Sequence, residues 1–206
     1  MDIGNVLLKV DLAGIVRKLA ELGINPKEVS SADFHFLAER YEEGLVETDR
    51  FITEGCLLTG LNAKSDDDRE KFVEIWNSVF EDDAVIETTV RACGMLKKAA
   101  GAYLVLFSNT NELHVRLMKE RYPQVLSLFD AAIYSHVTGA MKPRPPMYLE
   151  AVEQLGLEPG KTLYFDDKPE NIETGVRLGF LGHVFDYARP ETFLDALPAG
   201  WREIIL

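Results

Sequence analysis

Two adjacent carboxylates, Asp166 and Asp167, follow the apolar run Thr162-Leu-Tyr-Phe165 and open the loop Lys168-Pro-Glu-Asn171. Negative charge at the end of a buried strand is costly unless something neutralises it, so the pair points to a divalent cation held by oxygen. Three further motifs carry complementary groups: Asp2-Ile-Gly4-Asn-Val6, Phe107-Ser108-Asn109-Thr110 and Lys142-Pro143. A carboxylate at Asp2 can attack phosphorus in line and form an aspartyl-phosphate, which splits one difficult displacement into two easier ones. Attack of an anion on an anion requires charge cancellation. Asp2, the main-chain carbonyl of Gly4, and Asp166 with help from Asp167 form an all-oxygen set suited to Mg²⁺. Lys142 adds a point positive charge, and the Ser108 hydroxyl with N–H groups at a helix N-terminus completes an anion cradle. Singly, each motif is commonplace as a turn, a cap or surface loop. Their combination in this order is what specifies the chemistry.

The elements that must bring these motifs together are visible from Thr88 onward, where strand-like runs alternate with amphipathic stretches. Strands are predicted at Ala102 to Phe107, Ala131 to Tyr134, Thr162 to Phe165 and Leu181 to Phe185. Helices are predicted at Glu112 to Arg121, Pro146 to Leu155 and Asn171 to Leu178. This alternation is the signature of a doubly wound, Rossmann-like α/β core built on a parallel sheet, in which ligands sit outside the carboxyl ends of the strands. Asp2 should therefore close the first strand. Only Met1 precedes it, so that strand is either continued upstream or severely shortened.

Between Leu12 and about Asp83 the periodicity is helical throughout. Ile15, Leu19 and Leu22 form one stripe, Phe34, Leu37, Ala38 and Tyr41 a second, Phe51, Leu57 and Leu58 a third, and Phe72, Ile75, Trp76 and Val79 a fourth. Breaks fall at Gly23, Gly44 and Gly60. The expected organisation is an α/β core of residues 1–11 and 87–206, with a four-helix cap inserted over 12–86.

With 206 residues and 47% hydrophobic content, the chain can bury a substantial core. A formal net charge of −12 argues against a nucleic-acid surface, and no apolar run approaches the length that spans a bilayer. The expected partner is a small phosphorylated molecule, neither nucleic acid nor membrane; the oligomeric state is not legible. Cys56 and Cys93 lack metal or redox spacing and read as buried thiols in a reducing cytoplasm. Asp66-Asp67-Asp68 has the wrong spacing for a calcium loop and reads as the acidic first turn of a helix. His35, His136 and His183 are isolated in sequence and read as structural.

The four motifs resemble those of the haloacid dehalogenase superfamily, and the resemblance covers essentially the whole chain. More narrowly, Ser108-Asn-Thr-Asn-Glu-Leu-His114, Gly139-Ala-Met-Lys-Pro143 and Phe165-Asp-Asp-Lys-Pro-Glu-Asn-Ile172 are similar to bacterial glucose-1-phosphate phosphatases and to the phosphatase domain of soluble epoxide hydrolases. The resemblance implies that Asp2 is the nucleophile, that Ser108 and Asn109 hold the phosphoryl group, and that Lys142 neutralises it. It further implies that Asp166 and Asp167 position Mg²⁺. Arg40-Tyr41-Glu42-Glu43-Gly44 is similar to a pocket-facing helix end in these relatives, which makes Tyr41 and Glu42 substrate-contact candidates.

Gly4 departs from the commonest superfamily pattern, which has a second Asp there as general acid and base, a function worth roughly 10²- to 10⁴-fold in rate. The sequence thus predicts a preference for esters whose leaving group needs no proton. The leading expectation is a Mg²⁺-dependent phosphatase acting on a sugar phosphate or similar metabolite. A phosphate-binding protein with little turnover is the alternative from another class. A 2-haloacid dehalogenase would have no use for paired metal-binding carboxylates. A receiver domain would carry its acidic pair first and no helical insertion.

Overall fold

The computed structural model describes residues 1–25, 31–80 and 83–205; the parts of the expected cap at 26–30 and 81–82 lie outside the described residues. The described residues between 13 and 77 contain four helices, α1 (Ala13–Glu21), α2 (Ala32–Glu42), α3 (Thr48–Leu58) and α4 (Asp66–Asn77). They share one apolar cluster built on Leu19, Phe34, Leu37, Tyr41, Phe51, Phe72, Ile75 and Trp76. Its centre is aromatic: Tyr41 stacks on Phe51 at 4.0 Å between ring centroids, and Phe51 meets Trp76 edge-on at 4.8 Å. Three residues of the expected stripes do not enter it. Val79 is buried instead in the α/β core with Leu7, Leu8 and Phe80. Leu57 is exposed, because α3 turns Gly55 and Cys56 inward, and Leu22 lies beyond the end of α1. The acidic run at Asp66 opens α4, with Ser65 as N-cap accepting from the Asp68 amide at 3.3 Å.

The remainder is α/β. After α5 (Glu87–Ala100) come β1 (Val105–Ser108), α6 (Glu112–Arg121), α7 (Pro123–Leu126), β2 (Ala131–Tyr134), α8 (Ser135–Thr138) and α9 (Pro145–Leu155). Then follow β3 (Leu163–Asp166), α10 (Pro169–Arg177), β4 (Leu181–Val184) and α11 (Ala199–Ile205). β1 pairs with β2 in parallel, Val105 opposite Ala131, and β3 with β4 in parallel, Leu163 opposite Leu181. The strands start up to three residues later than the sequence predicts at Ala102, and β1 and β3 each run one residue further, onto Ser108 and Asp166.

Between the two pairs lies a stub of chain, Met1–Asp2, that ties them together. The Phe107 amide donates to Met1 O at 2.8 Å, and the Asp2 amide donates to Phe165 O at 2.9 Å. The order across the molecule is therefore β2, β1, the stub, β3, β4. An apolar cavity of about 440 Å³ lies beside this tie, lined by Met1, Val105, Leu163 and Phe165 among others. Among the described residues no helix is long and apolar enough to cross a membrane.

His114 joins the helical segment to the α/β part. On α6, it stacks on Trp76 of α4 at 5.1 Å. Asn111 Nδ2 lies 3.0 Å from its Nδ1, so Nε2–H donates to Trp76 O at 3.1 Å. Burial pushes the ring down to about 4, against the smaller opposing pull of the Trp76 carbonyl. The unfolded chain takes up a proton below its ordinary 6.5 while the native state does not. This contribution is therefore whole above pH 6.5 and is lost as pH falls toward 4. Urea unfolding should show about 3 kcal/mol lost across that window through this group. His114→Gln should lack that part of the slope; identical pH slopes for the two proteins would refute the assignment.

Candidate active site

Three of the four motifs reach the site because they end a parallel strand or the stub between them. Asp2 terminates the stub, Ser108 closes β1 and Asp166 closes β3, while Lys142 arrives on the loop between α8 and α9. Lys142 is the hub. Its side chain is 1% exposed, and Nζ donates to Asp2 Oδ1 at 2.9 Å, Asp166 Oδ2 at 2.6 Å and Phe107 O at 2.7 Å. All three ammonium hydrogens are thus satisfied. Burial alone would lower this ammonium, but the two carboxylates outweigh it and hold its pKa above the usual value.

The two carboxylates on Lys142 differ. Asp166 accepts from Lys142 and the Tyr164 hydroxyl (2.6 Å) on one oxygen, and from the Lys168 amide (3.0 Å) and Asn171 Nδ2 (2.8 Å) on the other. Burial pushes its pKa up, yet these donors, Lys142 foremost, bring it below the ordinary carboxylate value. Asp2 has fewer donors. Burial dominates there and raises its pKa, with Asp166 adding to the rise and Lys142 opposing it.

Asp2, Asp166 and Asp167 each place one carboxylate oxygen so that the three lie within 4.8 Å of one another. Beside them Asn171 Oδ1 is buried without a hydrogen-bond partner, and Gly4 lines the same cavity. An all-oxygen, mostly anionic donor set with one orphan acceptor fits a hard divalent cation. Among the described residues Asp167 accepts one side-chain hydrogen bond, from Asn5 Nδ2 at 3.0 Å, whereas all four acceptor positions of Asp166 are taken. Of the pair, Asp167 is therefore the freer ligand and Asp166 the anchor of the lysine. Asn5, at φ +53°, is held in the left-handed region, which asparagine tolerates better than most residues. Its Oδ1 receives the Val10 amide, fixing the Asp2 loop to Asp167.

These groups face a cavity of about 390 Å³ that also takes in Glu42, Ser108, Asn109 and Lys168. The Ser108 hydroxyl makes a long 3.4 Å contact to Asn109 O and also hydrogen-bonds the Asp2 carboxylate, so it stands beside the nucleophile where an anion would meet it. The Asn109 side chain is differently placed from its expected role. It clamps the Lys142 main chain, donating to Lys142 O and accepting from Lys142 N, both at 2.8 Å, so it positions the lysine before it can hold a phosphate. The Thr110 amide is likewise spent, on Ser135 Oγ at 2.9 Å. Tyr41 is not brought to the cavity at all. It is buried in the aromatic cluster with its hydroxyl on Thr48 (3.1 Å) and the Leu113 amide (3.2 Å), because its ring is worth more as packing than as a contact. Glu42, one residue on, does face the cavity, and burial pushes its carboxyl up to about 7. Neither the load on Asp166 nor the tethers from Asn5, Tyr164 and Asn171 were assigned from sequence; only the Asx-like spacing of Asp166 and Asn171 around a helix start hints at one of them.

The model of a family described as haloacid dehalogenase-like hydrolase matches residues 2–179. Flavin mononucleotide hydrolase 1 of Arabidopsis thaliana is 39% identical over 54 residues, 26% of this chain and 22% of that protein, so the match spans about a fifth of that relative's length. D-ribitol-5-phosphate phosphatase of Bacteroides thetaiotaomicron is 24% identical over 98% of this chain and 93% of its own. The crystal structure of a HAD family enzyme from the same organism, in complex with magnesium and inorganic phosphate, superposes with a TM-score of 0.76. It covers 90% of this chain and 92% of that one at 23% identity, a likeness of fold.

Proposed function

The chain belongs to the haloacid dehalogenase-like hydrolase family, and from that premise we propose that it is a Mg²⁺-dependent phosphatase hydrolysing a small phosphometabolite, a sugar phosphate foremost. The observation that carries this reading is the buried Asp2–Lys142–Asp166 arrangement, whose two carboxylates converge with that of Asp167, with Asp2 and Asp167 lining one cavity. A relative named as a sugar-alcohol phosphate phosphatase and a fold neighbour holding magnesium and phosphate support it.

Asp2, the Gly4 carbonyl and Asp167, with Asp166 behind them, would hold the cation. Bound there, Mg²⁺ offsets the charge of the phosphoryl oxygens against the incoming carboxylate. The Asp2 carboxylate attacks phosphorus in line and carries the phosphoryl group until water releases it. Lys142, fixed by the Asn109 clamp, presents positive charge to the equatorial oxygens, and Ser108 donates a hydrogen bond. The helices within 12–86 serve as a cap that narrows the cavity and selects the leaving group. Two free, buried cysteines, Cys56 and Cys93, fit a reducing cytoplasm.

The purified protein should hydrolyse p-nitrophenyl phosphate with MgCl₂ and lose roughly 10²-fold or more of that rate in excess EDTA, as removing several kcal/mol of charge stabilisation requires. Restored Mg²⁺ should restore it. Undiminished turnover in EDTA would refute the metal's role. Binding of phosphate without turnover of any ester would make the protein a phosphate-binding module instead.

A further inference from the structure

Gly4 leaves Asp2 with no acid from its own loop, and the cavity offers one from another element. Glu42 is the last residue of α2 and lines the cavity together with Asp2, Gly4 and Lys168. Its main chain is fixed to the α/β part from several sides. Ser135 Oγ donates to Glu42 O at 2.6 Å, the Leu113 amide donates to the Tyr41 hydroxyl at 3.2 Å, and Arg144 pairs with Glu43. Gly44 follows at φ +74°, so close to α8 that a Cβ there would lie 2.2 Å from His136 O. Only glycine permits both the backbone conformation and the approach.

A helix end so held cannot slide, yet none of the described residues donates a hydrogen bond to the Glu42 carboxyl. A carboxyl group in a cavity wall, with a fixed backbone and no protein partner, is arranged for a partner that arrives with the substrate. Its environment agrees: burial keeps the proton on into the neutral range, with Lys168 pulling the other way and Glu39 adding to the rise.

We propose that Glu42 is the general acid and base of the reaction, supplying from the helical segment what Gly4 cannot supply from the nucleophile's loop. This rests on the phosphatase reading above. As the bond from Asp2 Oδ to phosphorus forms and the ester P–O bond breaks, the Glu42 proton passes to the departing oxygen, which leaves as a neutral alcohol. Water then attacks the phosphorus of the aspartyl-phosphate and gives one proton to Glu42. The P–O bond to Asp2 breaks, and phosphate leaves with both carboxyl groups restored to their starting states. The enzyme should therefore be less dependent on leaving-group acidity than its Gly4 alone predicts.

The test compares kcat/KM for p-nitrophenyl phosphate, whose leaving group needs no proton, with kcat/KM for a primary alkyl sugar phosphate, in saturating MgCl₂. Glu42→Gln should lose roughly 10²- to 10⁴-fold on the alkyl ester and stay within a few-fold of wild type on the aryl ester. That surviving aryl activity is also the check that the variant is folded. Its kcat on the aryl ester should fall, because kcat, unlike kcat/KM, includes hydrolysis of the aspartyl-phosphate. Glu42→Asp, which keeps an acid, should recover part of the alkyl activity. Equal losses on both esters, or no loss on the alkyl ester, would overturn the assignment while leaving the phosphatase reading intact. Failure of the wild type on every ester would remove that reading and this one together.

Discussion

Asp2→Asn is expected to lower phosphate-ester turnover by about 10⁴-fold or more, since loss of the nucleophile removes the covalent route itself. The same variant should fold normally. Asn is isosteric, and Lys142 keeps Asp166 at 2.6 Å and Phe107 O at 2.7 Å. Because burial raises the Asp2 pKa, the native state bears a cost for that charge at neutral pH, and neutralising it should leave the melting temperature unchanged or higher. Activity and thermal unfolding measured on one preparation decide the matter: turnover equal to wild type would rule out the nucleophile, and a large drop in melting temperature would show that Asp2 is chiefly structural.

Lys142→Met should do the reverse, with the stability loss exceeding that of any other single change at the site. The ammonium is buried between Asp2 and Asp166, so deleting it leaves two uncompensated carboxylates facing each other. Breaking a buried pair in this way costs roughly 3–5 kcal/mol, and at this chain length each kcal/mol lowers the melting temperature by about 2–4 °C. Activity should fall by less than in Asp2→Asn, since the nucleophile remains. Mg²⁺ should also raise the variant's melting temperature more than that of the wild type, because the three carboxylates then have no other counter-charge. A melting temperature within a degree of wild type would mean that the site relaxes to admit water.

The α/β alternation and the strand-end motifs were readable because they are local. An apolar run closed by a carboxylate, as at Phe165-Asp166, announces both a strand and its functional end. Ala131 to Tyr134 and Glu112 to Arg121 coincide with β2 and α6 for the same reason. The helical stripes were readable in kind but not in phase. A period of 3.6 fixes a face only to within a residue, so Leu57 was placed inside where Gly55 and Cys56 are. What sequence could not show is how long-range contacts share out polar groups. The Asn109 amide faces either a phosphate or the Lys142 main chain depending on a loop 33 residues away. Tyr41 and Glu42 are neighbours on α2, and the turn of the helix alone sends one into the aromatic cluster and the other into the cavity.

The Met1–Asp2 segment carries a consequence for how the site is held. It bonds to both strand pairs through the main chain, accepting from the Phe107 amide at 2.8 Å and donating from the Asp2 amide to Phe165 O at 2.9 Å. The reactive carboxylate is thus registered against β1 and β3 at once, and Lys142 reaches the same two strands through Phe107 O and Asp166. A shift of one strand pair against the other moves the nucleophile relative to the lysine while leaving the hydrogen bonds within each pair intact, so the catalytic residues report the mutual registration of the two pairs and not the stability of either one.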